Sequence, residues 1–222
     1  MLFINIIANI IIIISSVITR NIFINGVFIP QKEIHKVNNS YYFKGKNPNN
    51  YISFNSDMWR IVSFNEDGTI KIIKNDDIGK EIFDSKANDF FKSKLRNYLN
   101  NKYYLSSKYI KMIKPYNWDN NSKNLLGLIS IYDYIYSSEN CKNVESFFEG
   151  VCNNNYIYNM LKGKTAWTIT KDENSVLYIG NIYYPDNEVD LKHYIFPALY
   201  LKEDITLIGT GTASNPYKIK EV

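Results

Sequence analysis

Within Tyr51–Ile73, two β-rich runs flank Asn65-Glu66-Asp67-Gly68, and no other stretch constrains the fold as tightly. The Asp-Gly pair supplies the positive φ angles of a tight turn, so the spacing predicts a β-hairpin. Before the turn, alternation sets Trp59, Ile61 and Ser63 on one face, and Met58, Arg60, Val62 and Phe64 on the other. After it, Ile70 and Ile72 share a face, and Lys71 and Ile73 point the opposite way. One face is mostly apolar and one mixed, which predicts a hairpin laid on a core with Lys71 toward solvent.

The remaining periodicities are shorter. Phe90, Phe91, Leu95, Tyr98 and Leu99 recur at helical spacing over Asn88–Asn101, and Ser106–Met112 reads as a second short helix ended before Pro115. Leu125–Ser130 suits a buried strand, with Ile131-Tyr132-Asp133-Tyr134 opening a helix. Trp167–Thr170 and Ser175–Ile179 read as strands. Ile195–Leu201 reads as a strand at a sheet edge or bulge, because it contains Pro197. Ile205–Ile208 and Tyr217–Ile219 close the chain. Short strands with about two helices inserted between them indicate an α+β fold. The expected organisation is an anchor over 1–19, a stalk and first strand over 20–40, and an α+β domain over 41–222.

Leu2–Ile18 is almost unbroken Ile, Leu, Phe, Val and Ala. It is too long for a strand and at the short end of what spans a bilayer. With no basic residue before it and no small-x-small site after it, the favoured reading is an uncleaved transmembrane signal anchor. A cleaved signal peptide and a structural helix are the alternatives. Arg20 alone would favour keeping that end cytoplasmic, a weak opposing signal. Cys141 and Cys152 are the only cysteines. Bracketing a short loop in a chain with an export signal, they are expected to form a disulfide, which would stabilise by about 3 kcal/mol. A formal charge of +4, with scattered basic residues, shows no basic face for nucleic acid.

Motifs that carry chemistry are weak. Gly163-Lys164-Thr165 ends like a phosphate-binding loop, but Tyr158 stands where the motif needs glycine. Gly209-Thr210-Gly211 leads into Asn215-Pro216 rather than a helix, so a turn is expected. His35 and His193 lack ligand spacing, and Trp118-Asp119-Asn120 lacks the partner motif of a lectin calcium site. A nucleophilic pair of Cys141 or Cys152 with His193 is removed if the cysteines are bonded. No cofactor or metal is called for.

Several pieces follow in order: Asn47-Pro48-Asn49-Asn50-Tyr51, Met58-Trp59-Arg60-Ile61-Val62, Asp77-Ile78-Gly79 and Leu95-Arg96-Asn97-Tyr98-Leu99-Asn100. Leu128-Ile129-Ser130 with Asp133-Tyr134, the two cysteines and Trp167-Thr168-Ile169-Thr170 come next. Pro197-Ala198-Leu199-Tyr200-Leu201 and Gly209-Thr210-Gly211-Thr212 complete the series. Over about Tyr41–Lys220 this resembles a family of uncharacterised, surface-exposed proteins of low-GC Gram-positive bacteria, usually tethered by one amino-terminal hydrophobic helix. Phe196 stands where that family often has Arg. The pattern is also distantly similar to the C-type-lectin-like fold of the formylglycine-generating enzyme group, without its catalytic cysteine arrangement. The resemblance implies a membrane-anchored extracellular binding domain with a mixed sheet. Its structural core would include Trp59, Ile61, Trp167, Pro197 and Tyr217. Ile205–Ile219 would fold back as a hairpin beside the strand holding Trp59. The expected partners are the membrane, through the amino-terminal helix, and a surface glycan or protein. The alternatives are a cell-surface enzyme on cell-wall or glycan substrates, or a structural subunit of a surface assembly.

Overall fold

The computed structural model describes residues 21–119, 122–172, 175–180 and 189–220. The expected anchor over 1–19 lies outside them. Among the described residues no helix is long and apolar enough to cross a membrane.

Strands β1 (Asn21–Ile24) and β2 (Val27–Pro30) form a hairpin whose turn, Asn25-Gly26, has positive φ at both residues. β3 (Ile34–Val37) then pairs with β4 (Ser40–Phe43). Residues 21–40 are therefore not a stalk. Val27, Ile29 and Ile34 are buried, and β3 and β4 extend the main sheet, because this segment carries apolar side chains that the core needs as cover.

β5 (Tyr51–Phe54), β6 (Asp57–Phe64) and β7 (Ile70–Lys74) follow, with Asn65–Thr69 closing the β6–β7 hairpin. The register between β6 and β7 shifts by one residue between Ile61 and Ser63. This bulge at Val62 resets the alternation, so Ser63 lies on the face of Lys71 and Phe64 joins the face of Ile61. Lys71 is not on a solvent face. β7 is buried along its whole length, because the face expected to be wet is covered by a helix that meets Lys71 with a carboxylate.

β8 (Lys80–Ile82) leads to a 3₁₀ turn at Phe90–Lys92 and helix α1 (Lys94–Lys102). Ser93 divides what reads as one helix, since its hydroxyl accepts the Arg96 N–H and caps α1. α2 (Ser107–Ile110), β9 (Tyr116–Asp119) and β10 (Ser122–Asn124) come next, then α3 (Ile131–Tyr136), opened by a capping box between Ser130 and Asp133. Two short helices, α4 (Val144–Phe148) and α5 (Tyr156–Leu161), are each capped by an asparagine, Asn143 and Asn155. β11 (Ala166–Asp172), β12 (Ser175–Ile179), β13 (Lys192–Tyr194), β14 (Ala198–Leu201), β15 (Leu207–Ile208) and β16 (Lys218–Ile219) complete the chain.

The architecture is α+β. The main sheet runs β14-β7-β6-β4-β3 with β5 also on β6, and a second sheet runs β12-β11-β13-β8. Leu125–Ser130 is buried but is not a regular strand. The Gly127 N–H donates to Ala198 in the main sheet, while the Ile129 carbonyl accepts from Ile169 in the second. A segment that stitches two sheets cannot keep one ladder. Pro197 precedes β14, an edge strand, where its missing N–H costs no ladder bond. The terminal hairpin β15–β16 lies beside β5 rather than beside β6. The Tyr217 N–H donates to the Tyr51 carbonyl at 2.8 Å, and the Ser53 N–H donates to the Tyr217 carbonyl at 2.9 Å. Gly211 permits this closure. Its φ is +72°, and a Cβ there would lie 2.1 Å from the Asn49 carbonyl oxygen.

Candidate binding groove

A groove opens where α2 meets the terminal hairpin. The Asn55 side chain places α2: its Oδ1 accepts from the Ser106 N–H and its Nδ2 donates to the Tyr104 carbonyl. Asn55 and Ser56 both have positive φ in the β5–β6 turn, which brings that amide under the helix. Beyond α2, the Lys202 N–H donates to the Met112 carbonyl, and on the far wall the Lys220 N–H donates to the Thr206 carbonyl.

Two adjoining recesses result, of about 170 Å³ and about 560 Å³, sharing Lys108, Met112 and Ile219. Tyr109, Met112, Ile205 and Ile219 supply apolar lining. Lys108, Lys218 and Lys220 supply positive charge, against Asp204 as the acid. Lys218 and Lys220 are exposed, and neither has an acidic partner among the described residues. An apolar floor under lysines suits a ligand with an anionic head and an apolar body.

The other polar clusters are occupied internally. Lys71 Nζ donates to Asp133 Oδ2 at 2.6 Å, and the Ser130 N–H and hydroxyl donate to the same oxygen at 2.6 and 2.8 Å. Burial alone would lower the Lys71 ammonium, but Asp133 and Tyr200 hold it above its ordinary value. Burial and Asp133 push the nearby Tyr42 phenol up. Arg60 is buried, and among the described residues no carboxylate pairs with it. Its Nε donates to Asn50 Oδ1, and its guanidinium lies 3.7 Å from the Tyr51 ring centroid and 4.9 Å from that of Tyr156. These aromatic faces substitute for an anion.

Cys141 and Cys152 form a disulfide, with Cα atoms 4.7 Å apart, so neither is a thiol partner for His193. His193 Nδ1 lies 2.7 Å from Thr165 Oγ1, and its ring stacks on Tyr178 with an edge contact to Trp167. Gly163-Lys164-Thr165 forms the turn after α5, and Lys164 pairs with Asp77. Among the described residues, no group of three His, Cys, Asp or Glu residues is placed to hold a metal. The Trp118 and Asp119 side chains and Asn120 lie outside what the structure describes.

The His193 environment predicts a pH effect. Burial, then the Lys80 ammonium, pulls its imidazole from the ordinary 6.5 down to about 4. Between these values the folded protein binds fewer protons than the unfolded chain. The stability contribution is therefore fully present above 6.5 and is lost as pH falls toward 4. Melting followed between about pH 7 and about pH 4 should show this slope, and a His193→Gln variant should reduce it to the part left by His35, which burial and Lys44 also lower. An equal slope in both proteins would contradict the assignment.

Trp59, Ile61, Trp167, Pro197 and Tyr217 are all buried, and Trp59, Ile61, Trp167 and Tyr217 belong to one continuous hydrophobic core, reached from different elements. Trp59 and Ile61 lie in the main sheet, and Pro197 precedes its edge strand. Trp167 anchors the second sheet by donating its Nε1–H to the Glu81 carbonyl, and Tyr217 sits beside β5. Sequence reasoning missed the groove residues. Lys218-Ile219-Lys220, with lysines alternating about an apolar residue, was the available signal. Comparison of the chain with protein-family models, with curated proteins and with solved structures finds no match to any of them.

Proposed function

We propose that this chain is a membrane-tethered extracellular domain that binds a ligand, with the groove between α2 and β16 as its contact surface. The observation that carries this reading is the groove itself, with its apolar floor and exposed lysines. The tether is Leu2–Thr19, whose composition suits a membrane span. The Cys141–Cys152 disulfide supports an oxidising location outside the cytoplasm. The C-type-lectin-like likeness is supported by one feature, the terminal segment that Tyr217 joins to the same sheet as Trp59.

The test is an array carrying anionic and neutral lipids, glycans and peptides, probed with the full chain in detergent. Anionic spots should be retained. Lys218→Glu with Lys220→Glu should reduce that retention by at least about tenfold, since each reversed charge acts close to the ligand. Binding that the two substitutions leave unchanged would remove the groove from the account.

A further inference from the structure

The hairpin β1–β2 follows Leu2–Thr19 with only Arg20 between them. Its turn touches the groove wall. Asn25 Nδ2 donates to the Ile205 carbonyl at 2.9 Å, and the Leu207 N–H donates to the Asn25 carbonyl at 2.7 Å. A Cβ on Gly26 would lie 2.5 Å from Thr206 Cγ2. While Val27 and Ile29 point into the core, Phe23 and Phe28 stand opposite each other across the pair on the outer face. Their ring centroids are 4.8 Å apart, and they are 62% and 70% exposed. The aromatic pair and the groove lysines thus occupy the same end of the domain.

We infer that this end docks on the anionic surface of the bilayer that holds the apolar run, with Phe23 and Phe28 at headgroup level and Lys218 and Lys220 on lipid phosphates. The inference rests on the tethering reading. A residue spans at most about 3.6 Å when extended, so Asn21 begins within about 10 Å of the end of that run. That is roughly one Debye length, and a lysine held within such a distance of anionic lipid strengthens the association about fivefold. Phenylalanine, like Trp and Leu, is a common apolar contact of surface-lying segments, buried at the boundary between headgroups and acyl chains. A soluble acidic ligand would account for the lysines but leave the phenylalanines bare. A second copy of the chain would cover the phenylalanines but set lysines against lysines. Anionic lipid uses both.

The test is to reconstitute the full chain in vesicles of phosphatidylcholine alone, or of phosphatidylcholine mixed with phosphatidylglycerol, and recover it by flotation. A membrane-impermeant amine reagent then labels the lysines, which are read by mass spectrometry relative to Lys142, exposed elsewhere on the domain. Labelling of Lys218 and Lys220 should fall by at least about fivefold with phosphatidylglycerol and recover at high salt. A Phe23→Ser, Phe28→Ser variant, altered only on an exposed face, should keep its melting temperature and lose most of this protection. Equal labelling in both floated compositions would overturn docking and leave the tether standing. Protection in phosphatidylcholine that grows with protein density would mean a second copy covers the face, and would also overturn it. A chain that does not float would overturn both the tether and the docking.

Discussion

Alanine at Asp133 is expected to destabilise the protein by about 3 to 5 kcal/mol, because it leaves the Lys71 ammonium buried without a counter-charge. Lys71 is 5% exposed, and its Nζ meets Asp133 Oδ2 at 2.6 Å. Asp133 also accepts from the Ser130 N–H and hydroxyl, so the same change removes the capping box of α3. Lys71→Ala should cost a similar amount, since it strands the carboxylate. A Lys71→Met, Asp133→Leu double variant should recover the part of the loss that comes from the stranded charge, as apolar pairs of similar volume often replace buried ion pairs at little cost, but not the part that comes from the capping box. Denaturant unfolding of the full chain in detergent measures all three. Single variants within about 0.5 kcal/mol of the parent would contradict the buried pair, since that range belongs to surface positions.

The second large effect is at the carboxy-terminal hairpin. Ending the chain after Asp204 removes Leu207 and Tyr217, both almost fully buried, and strips the cover from β5. Tyr217→Ala alone should cost about 3 to 5 kcal/mol, in the range of large aromatic truncations in cores. The truncation should be at least as damaging, because it also exposes a strand edge and removes the bond that the Leu207 N–H makes to the Asn25 carbonyl in the β1–β2 turn. Loss of a cooperative melting transition is the expected result. A sharp transition near that of the parent would make the hairpin an appendage.

The parts of this fold legible in the sequence are those decided locally. Gly68 marks the β6–β7 turn because it takes a φ of +80° that few other residues accept, whereas Asp67, expected to share that conformation, does not. β11 and β12 follow from short β-branched and aromatic runs. The side that Lys71 faces was not legible. A lysine between isoleucines reads as solvent-exposed until a helix from residues 131–136 brings Asp133 over it. Nor was the bulge at Val62, which follows from strand pairing and moves Ser63 and Phe64 to opposite faces from those alternation predicts. Helices α4 and α5 have five and six residues, too few to display a helical period, and only their asparagine caps mark them. The groove draws on Ser53, Lys108, Asp204 and Lys218, which the topology brings together and sequence distance conceals.

A domain tethered on the oxidising side of a membrane makes two demands at once, an anchor that survives extraction and a closed disulfide. Its most direct test is maleimide–polyethylene glycol labelling of the full chain after alkaline carbonate washing of membranes from cells that express it. The expected result is an intact band in the membrane pellet whose mobility is unchanged until reductant opens Cys141–Cys152, after which both thiols react. Chain released into the carbonate supernatant, or thiols that react before any reductant is added, would contradict it.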